Sequence, residues 1–466
     1  TMYEYANPLA LIYESDGENK SRQIRSFGSV TLTPIKQFFI KALVSHTTWN
    51  QTRGYSESKK HISTIRDNRN GYAAKGSASS RDNLIELTAQ YKETFGLHNV
   101  TGLVGYSYQD NVYEDEYMIN WDFPSDQYTY NNMGAGSALK RGEATMNAEK
   151  EKSKLIGFFA RANYSYDNRY LATVSIRHEG SSKFGANHKW GNFPAMSVGW
   201  NVSNEHFMEG VAFLSTLKVR AGFGITGSLP NEAYSSLSRL ASGNNFLTNG
   251  SSWIPTLQPE SNANPDLKWE TTTQTNIGID AGLFNNKLNL SFDFYHKYTT
   301  DILQRITYPS TGGVASAPFM NIGEMQNNGY ELNINFQNTT DYGFRYELGL
   351  ILSGYRNEVK KLASNQFISN TYTRTEVGHP ISSFYGYVID GIFQTQGEVD
   401  SHVEQSDKAI GRWKYRDVNN DGKIDSQDRA YIGNPHPDFE YSLSSRFYYK
   451  NFDLSLYIQG SQGNDI

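Results

Sequence analysis

Period-two alternation of apolar and polar residues recurs along this chain from end to end, and it leaves few folds open. Leu288, Leu290, Phe292 and Phe294 alternate with Asn289, Ser291, Asp293 and Tyr295, which puts apolar and polar side chains on opposite faces of one strand. Tyr330, Leu332, Ile334 and Phe336 alternate in the same way with Glu331, Asn333, Asn335 and Gln337, as do Phe452, Leu454, Leu456 and Ile458 with Asp453, Ser455, Tyr457 and Gln459. Tyr170, Ala172, Val174 and Ile176 face away from Thr173, Ser175 and Arg177. About fourteen strands are expected on this criterion, near 24–34, 37–48, 83–95, 97–109, 154–166, 169–180, 191–203, 215–226, 267–283, 286–300, 327–338, 343–355, 439–450 and 452–462.

The connections narrow the choice further. Short turns such as Thr33-Pro-Ile-Lys36, Tyr166-Asp-Asn-Arg169, Phe284-Asn-Asn-Lys287 and Lys450-Asn451 largely alternate with long polar stretches near 49–82, 110–153, 227–266, 301–326 and 356–438. This is the grammar of an all-β, antiparallel transmembrane β-barrel, with tight periplasmic turns at one end and long extracellular loops at the other. Closure also removes the free edges that so large a sheet would otherwise expose to other chains. Tyr164, Tyr166, Tyr170, Tyr295, Tyr298 and Tyr355 stand near strand ends and fit interfacial aromatic girdles. A soluble propeller or multi-sandwich is the alternative fold. No run approaches the length of a membrane-spanning helix, which needs about 20 apolar residues.

Composition agrees and excludes several function classes. The 32 Tyr and 40 Gly among 466 residues suit many strands and turns. The absence of cysteine removes disulfides and thiolate metal sites. A net charge of -5 with no dense Lys/Arg tract argues against nucleic-acid binding. Gly222-Phe-Gly-Ile-Thr-Gly227 fits a dinucleotide fingerprint, but no amphipathic helix follows it, so a glycine cluster between strand and loop is the better account. There is no H-E-x-x-H pair and no G-x-S-x-G elbow, and the chain is not expected to be an enzyme.

One local motif does carry chemistry. From Asp417 to Asp428 the sequence reads Asp-Val-Asn-Asn-Asp-Gly-Lys-Ile-Asp-Ser-Gln-Asp. Calcium takes six to eight oxygens at roughly 2.3 to 2.6 Å, and a twelve-residue loop of this spacing can wrap one ion. Asp417, Asn419, Asp421 and Asp428 would coordinate through side chains, Lys423 through its carbonyl, and Asp425 directly or through water. Gly422 allows the sharp turn. The competing reading is a solvated Asp/Asn turn. Helices of the kind that an EF-hand sensor moves do not flank the motif, so a static calcium clamp within the 356–438 loop is expected.

The surroundings of that loop resemble a known family. Phe384-Tyr-Gly-Tyr-Val-Ile-Asp-Gly-Ile-Phe-Gln-Thr395, then Gly411-Arg-Trp-Lys-Tyr415, the acidic loop, and Tyr431-Ile-Gly-Asn-Pro-His-Pro-Asp-Phe439 follow in an order similar to SusC/RagA-type TonB-linked outer-membrane transporters. Asn7-Pro-Leu-Ala-Leu11, Leu217-Lys-Val-Arg-Ala-Gly-Phe-Gly-Ile-Thr-Gly227, Pro265-Asp-Leu-Lys-Trp-Glu270 and Ile458-Gln-Gly-Ser-Gln-Gly-Asn-Asp465 extend the resemblance over nearly the whole chain. It implies a barrel of about 22 strands around a plug, set in the lipid bilayer and lipopolysaccharide of a Gram-negative, Bacteroidota-type outer membrane. It further implies import of a glycan or peptide with TonB-derived energy, under a SusD-like surface lipoprotein. Residues 1–466 are then expected to be the downstream barrel portion, with the plug and TonB box elsewhere. A calcium-dependent adhesion protein and a self-contained 14-stranded channel are the alternatives. Trp253, Trp269 and Trp413 would either stack on sugars or pack locally.

Overall fold

A computed structural model describes residues 7–242, 246–250, 252–305, 318–363 and 367–466. Fourteen strands form one antiparallel sheet in which neighbours in space are neighbours in the chain. They are β1 (Ser15–Ile35), β2 (Phe38–Glu57), β3 (Tyr72–Phe95), β4 (His98–Trp121), β5 (Thr145–Tyr166), β6 (Tyr170–Ser181) and β7 (Trp190–Asn201). They continue as β8 (Leu214–Ser228), β9 (Glu270–Leu283), β10 (Leu288–Arg305), β11 (Phe319–Thr339), β12 (Arg345–Lys361), β13 (Phe439–Tyr449) and β14 (Phe452–Gln462). Within this sheet β1 pairs only with β2 and β14 only with β13, so the described strands form an open sheet with two edges, not a closed fourteen-stranded ring.

The register lines up like with like. Leu32, Ile40, Ala89, Val104, Ala160, Ile176 and Pro194 stand opposite one another across β1 to β7. Leu217, Ala281, Leu290, Ile334, Leu350, Leu443 and Ile458 do so across β8, β9, β10, β11, β12, β13 and β14. Period two then places every second residue of each strand on this apolar face. The face is uncovered: Val104 is 58%, Val174 59% and Ile458 57% exposed. A continuous uncovered apolar band of this kind suits lipid, because water would penalise every one of these side chains.

Aromatic residues border the band at its short-turn end. Tyr166 and Tyr170 stack at 6.4 Å across the Asp167-Asn168 turn, whose two residues both have positive φ. The Tyr170 hydroxyl and the Trp200 indole N–H both donate to Glu205, at 2.6 and 2.9 Å, giving each ring an apolar body and a wet tip. Two of the expected girdle residues lie elsewhere. Tyr295 and Tyr355 share the parity of Asp293 and Ser353 and therefore stand on the polar face, where the Tyr355 hydroxyl meets His436 Nδ1 at 3.0 Å.

At the long-loop end the strands run further than their hydropathy shows. β1 begins at Ser15, β2 reaches Glu57 and β3 starts at Tyr72, so the connection expected over 49–82 shrinks to residues 58–71. Backbone pairing continues there between strands that are polar on both faces, and alternation fades while the ladder persists. The Gly222–Gly227 segment lies inside β8, with no helix after it among the described residues up to β9. Where loops fold over the sheet, Phe184, Leu267 and Trp269 form a small buried cluster, and the Trp269 N–H donates to the Lys189 carbonyl at 3.2 Å. Trp269 is thus a packing residue. Trp413 is exposed, and the Trp253 side chain lies outside the described residues.

Candidate functional site

The face opposite the apolar band is polar and carries a charged row at mid-strand. Arg220, Gly278, Asp293, Glu331, Ser353, Glu440 and Ser461 stand opposite one another from β8 to β14. The Arg220 guanidinium donates to both oxygens of Asp293, at 2.5 and 2.6 Å, and to both oxygens of Asp280, at 2.9 and 3.2 Å. Ser291 closes the network by donating to Asp280 at 2.7 Å. Such forked contacts combine charge with fixed direction. Arg220 must reach over the strand between them to meet Asp293, and Gly278 makes room: a Cβ there would lie 2.5 Å from Asp293 Oδ1 and 2.7 Å from the guanidinium carbon.

On the same face, β3 to β8 line a groove of ≈ 590 Å³ whose walls include Glu86, Phe159, Arg161, Arg177, Glu179 and Phe193. Arg177 pairs with Glu179 at 2.5 Å and stacks over the Phe159 ring at 5.5 Å. The face therefore offers aromatic planes, fixed donors and carboxylates side by side. That mixture recognises polar ligands by hydrogen bonding and stacking.

Between β12 and β13 the chain makes an excursion over residues 362–438 and folds on itself. Four short strands, Ile368–Ser369, Thr373–Thr375, Ser383–Tyr387 and Arg429–Gly433, form one small sheet, and Ile389–Ile392 pairs with Trp413–Tyr415 in another. The excursion is tied to the end of β12. The Val359 N–H donates to the His379 carbonyl at 3.0 Å, the Val359 carbonyl accepts from the Gly378 N–H at 2.9 Å, and the Asn357 side chain accepts from the Ile381 N–H at 2.8 Å. His436, rigid between two prolines, bridges the Tyr355 hydroxyl and the Ile381 carbonyl, each at 3.0 Å. Within it the Tyr431 hydroxyl donates to Glu376 at 2.5 Å, and burial, reinforced by that carboxylate, pushes the phenol well above its usual range, so it stays a donor.

The acidic loop joins the two small sheets. Its backbone has the curl that the motif requires, with positive φ at Asn420 and at Gly422, where φ is 87°. Asp417 accepts from the N–H groups of Asp421 and Gly422 at 3.2 and 2.8 Å, and Asn419 accepts from Asp421 at 2.9 Å. Asp421 accepts from Lys423 at 3.1 Å. Asp425 caps the short helical turn Ser426–Asp428 and pairs with the Lys423 ammonium at 2.9 Å. Asp428 is fully buried, and its carboxylate accepts from Asp425, Val418 and Asn419. The Asp425 N–H, seconded by the other two amides, holds that carboxyl below its usual range against the cost of burial.

The structure thus gathers all six residues into one closed loop, with the carboxylates turned toward backbone amides. Among the described residues no group of three or more His, Cys, Asp or Glu side chains is collected tightly enough to hold a metal ion. The donor set itself suits a hard cation: four carboxylates, the Asn419 amide oxygen and one backbone carbonyl can present oxygen to it, and each carboxylate keeps lone pairs beyond those its amides use. Sequence reasoning found this loop but missed Arg220, whose partners lie 60 and 73 residues away. A charged residue at polar-face parity in mid-strand is the signal that would have marked it.

Known proteins share this architecture. The family described as TonB dependent receptor-like, beta-barrel matches residues 16–459. TonB-dependent receptor P3 of Formosa agariphila is 31% identical over 99% of this chain and 46% of its own length. TonB-dependent receptor SusC of Bacteroides thetaiotaomicron is 30% identical over 82% of this chain and 37% of its own length. The solved RagAB peptide transporter superposes with a TM-score of 0.79 at 22% identity, covering 96% of this chain and 48% of its own. The chain spans about half the length or less of the relatives it matches.

Proposed function

Because this chain belongs to the TonB-dependent receptor β-barrel family and is an outer-membrane β-barrel chain, we propose that it forms the downstream wall of an active importer of oligosaccharides or peptides driven through TonB. The uncovered apolar band, which lies on one face of the sheet across all fourteen strands, carries this reading. In the proposed assembly further strands pair with the free edges of β1 and β14 and close a barrel of about 22 strands. The Arg220 row and the Arg161–Arg177 groove then face the interior, where a plug sits and substrate passes. A SusD-like lipoprotein is proposed to seat on the long-loop side, where the 362–438 excursion projects.

The test is uptake by cells expressing the whole protein, with and without TonB, using labelled oligosaccharide and peptide mixtures. Accumulation of one class that disappears without TonB is the expected result. Equal uptake without TonB, or a protein that is monodisperse in water without detergent, would overturn the reading.

We also infer that calcium fills the 417–428 loop and makes the excursion rigid. Asp417, Asn419, Asp421 and Asp428 would hold the ion through side-chain oxygens, Asp425 directly or through a water, and Lys423 through its carbonyl. A bound cation would relieve the repulsion among four carboxylates confined to twelve residues. Asp421→Ala is expected to remove bound calcium, measured by elemental analysis, and to speed proteolysis within 362–438 by on the order of tenfold. Unchanged calcium content together with unchanged protease resistance would leave a solvated turn as the correct account.

A further inference from the structure

Directly above the apolar band on the long-loop side, the outward face carries a compact group of cations on β3 and β5. Lys150, Lys152 and Lys154 occupy alternate positions of β5 and share the parity of Ile156 and Phe158, so all three continue the lipid-facing side of that strand. All three are exposed. The register builds three rows: Asn83–Asp110–Lys154, Arg81–Val112–Lys152 and Ser79–Glu114–Lys150. Below them the Ile85–Tyr108–Ile156 row begins the apolar band, and the Phe158 and Trp190 rings stack at 6.3 Å beside it.

Four cations and two carboxylates share these rows. Lys150 pairs with Glu114 at 2.6 Å and Lys152 reaches Asp110 at 3.5 Å, which leaves Arg81 and Lys154 as the surplus charge. Val112 is buried in the middle row, 8% exposed, between Arg81 and Lys152. Long basic side chains whose stems lie on apolar surface and whose heads end at the membrane boundary are placed to meet lipid headgroups.

We propose that this patch binds the phosphate groups of an outer-leaflet lipid, whose acyl chains lie against Ile85, Tyr108, Ile156 and Phe158. Charge complementarity and the unbroken passage from cations to apolar band select a lipid over a soluble anion, since a soluble anion would gain nothing from the band. The proposal rests on the membrane reading of that band. Its test uses the whole protein in neutral detergent and mixed micelles containing either diphosphoryl lipid A or the same lipid stripped of phosphate.

The wild type is expected to prefer the phosphorylated lipid by tenfold or more, at on the order of fivefold per basic residue. Combined Lys150→Gln, Lys152→Gln and Lys154→Gln substitutions are expected to abolish that preference, and the corresponding Lys→Arg set to keep it. Equal binding of both lipids, an unchanged triple variant, or complete displacement by millimolar inorganic phosphate would each overturn the proposal. Heat-modifiable migration of the same samples reports barrel formation separately, so failure of the membrane reading is distinguishable from failure of the patch.

Discussion

Val174→Arg is expected to destabilise the barrel by about 2 to 4 kcal/mol, the cost of an arginine at the lipid midplane of a membrane barrel. Val174 stands between Ala162 and Met196, midway along β6 between the Tyr170–Trp200 pair at the short-turn end and the His178–Asn192 pair at the other. It is 59% exposed, so in water the substitution would cost almost nothing and would crowd no neighbour. Its neighbour Ser175 points to the opposite face, and Ser175→Arg is expected to cost less than about 1 kcal/mol. Urea unfolding of the whole protein in lipid, followed by heat-modifiable migration, measures both. Equal, small effects at the two positions would mean that the band meets water or protein and not lipid.

Arg220→Met is expected to cost about 3 kcal/mol, because it leaves Asp280 and Asp293 facing each other without a cation. All three groups are partly exposed, with 29%, 39% and 22% of their side-chain surface accessible, which holds the effect to the lower part of the range for breaking a buried ion pair. Removing the carboxylate charges at the same time, as Asp280→Asn with Asp293→Asn, should recover most of the loss, since a neutral amide tolerates the missing partner. Comparing this triple variant with Arg220→Met alone and with the Asp280→Asn, Asp293→Asn pair alone separates charge from packing. A cost below about 0.5 kcal/mol for Arg220→Met would show that the network is solvated and structurally idle.

The strands were legible because lipid on one side and water on the other impose strict alternation, and β6, expected over 169–180 and found over Tyr170–Ser181, reads to within one residue at each end. Their long-loop extensions were not. Ser15–Gln23 and Tyr72–Asp82 are held by backbone pairing between two polar faces, and backbone hydrogen bonds leave no mark on hydropathy. The acidic loop was legible since its residues lie within twelve positions, and the closed curl at Asn420 and Gly422 follows the motif's glycine. Residue spacing does not say which way its carboxylates turn, because local hydrogen bonds to backbone compete with any ion for the same oxygens. Nearness to strand ends suggests a girdle for Tyr295 and Tyr355, but parity decides the face and puts both on the polar one. The Arg220 network depends on register between three strands, which alternation within each strand cannot supply.

Spin labels placed one at a time at Ala172, Thr173, Val174, Ser175 and Ile176 of the whole protein in lipid bilayers test the central claim most directly. These 466 residues contain no cysteine to compete for the label. Collision with molecular oxygen, which concentrates in lipid, should peak at Ala172, Val174 and Ile176 and fall at Thr173 and Ser175. Uniform collision along the five positions, or high accessibility of Val174 to a water-soluble nickel complex, would contradict a lipid-facing β6 and with it the outer-membrane importer wall.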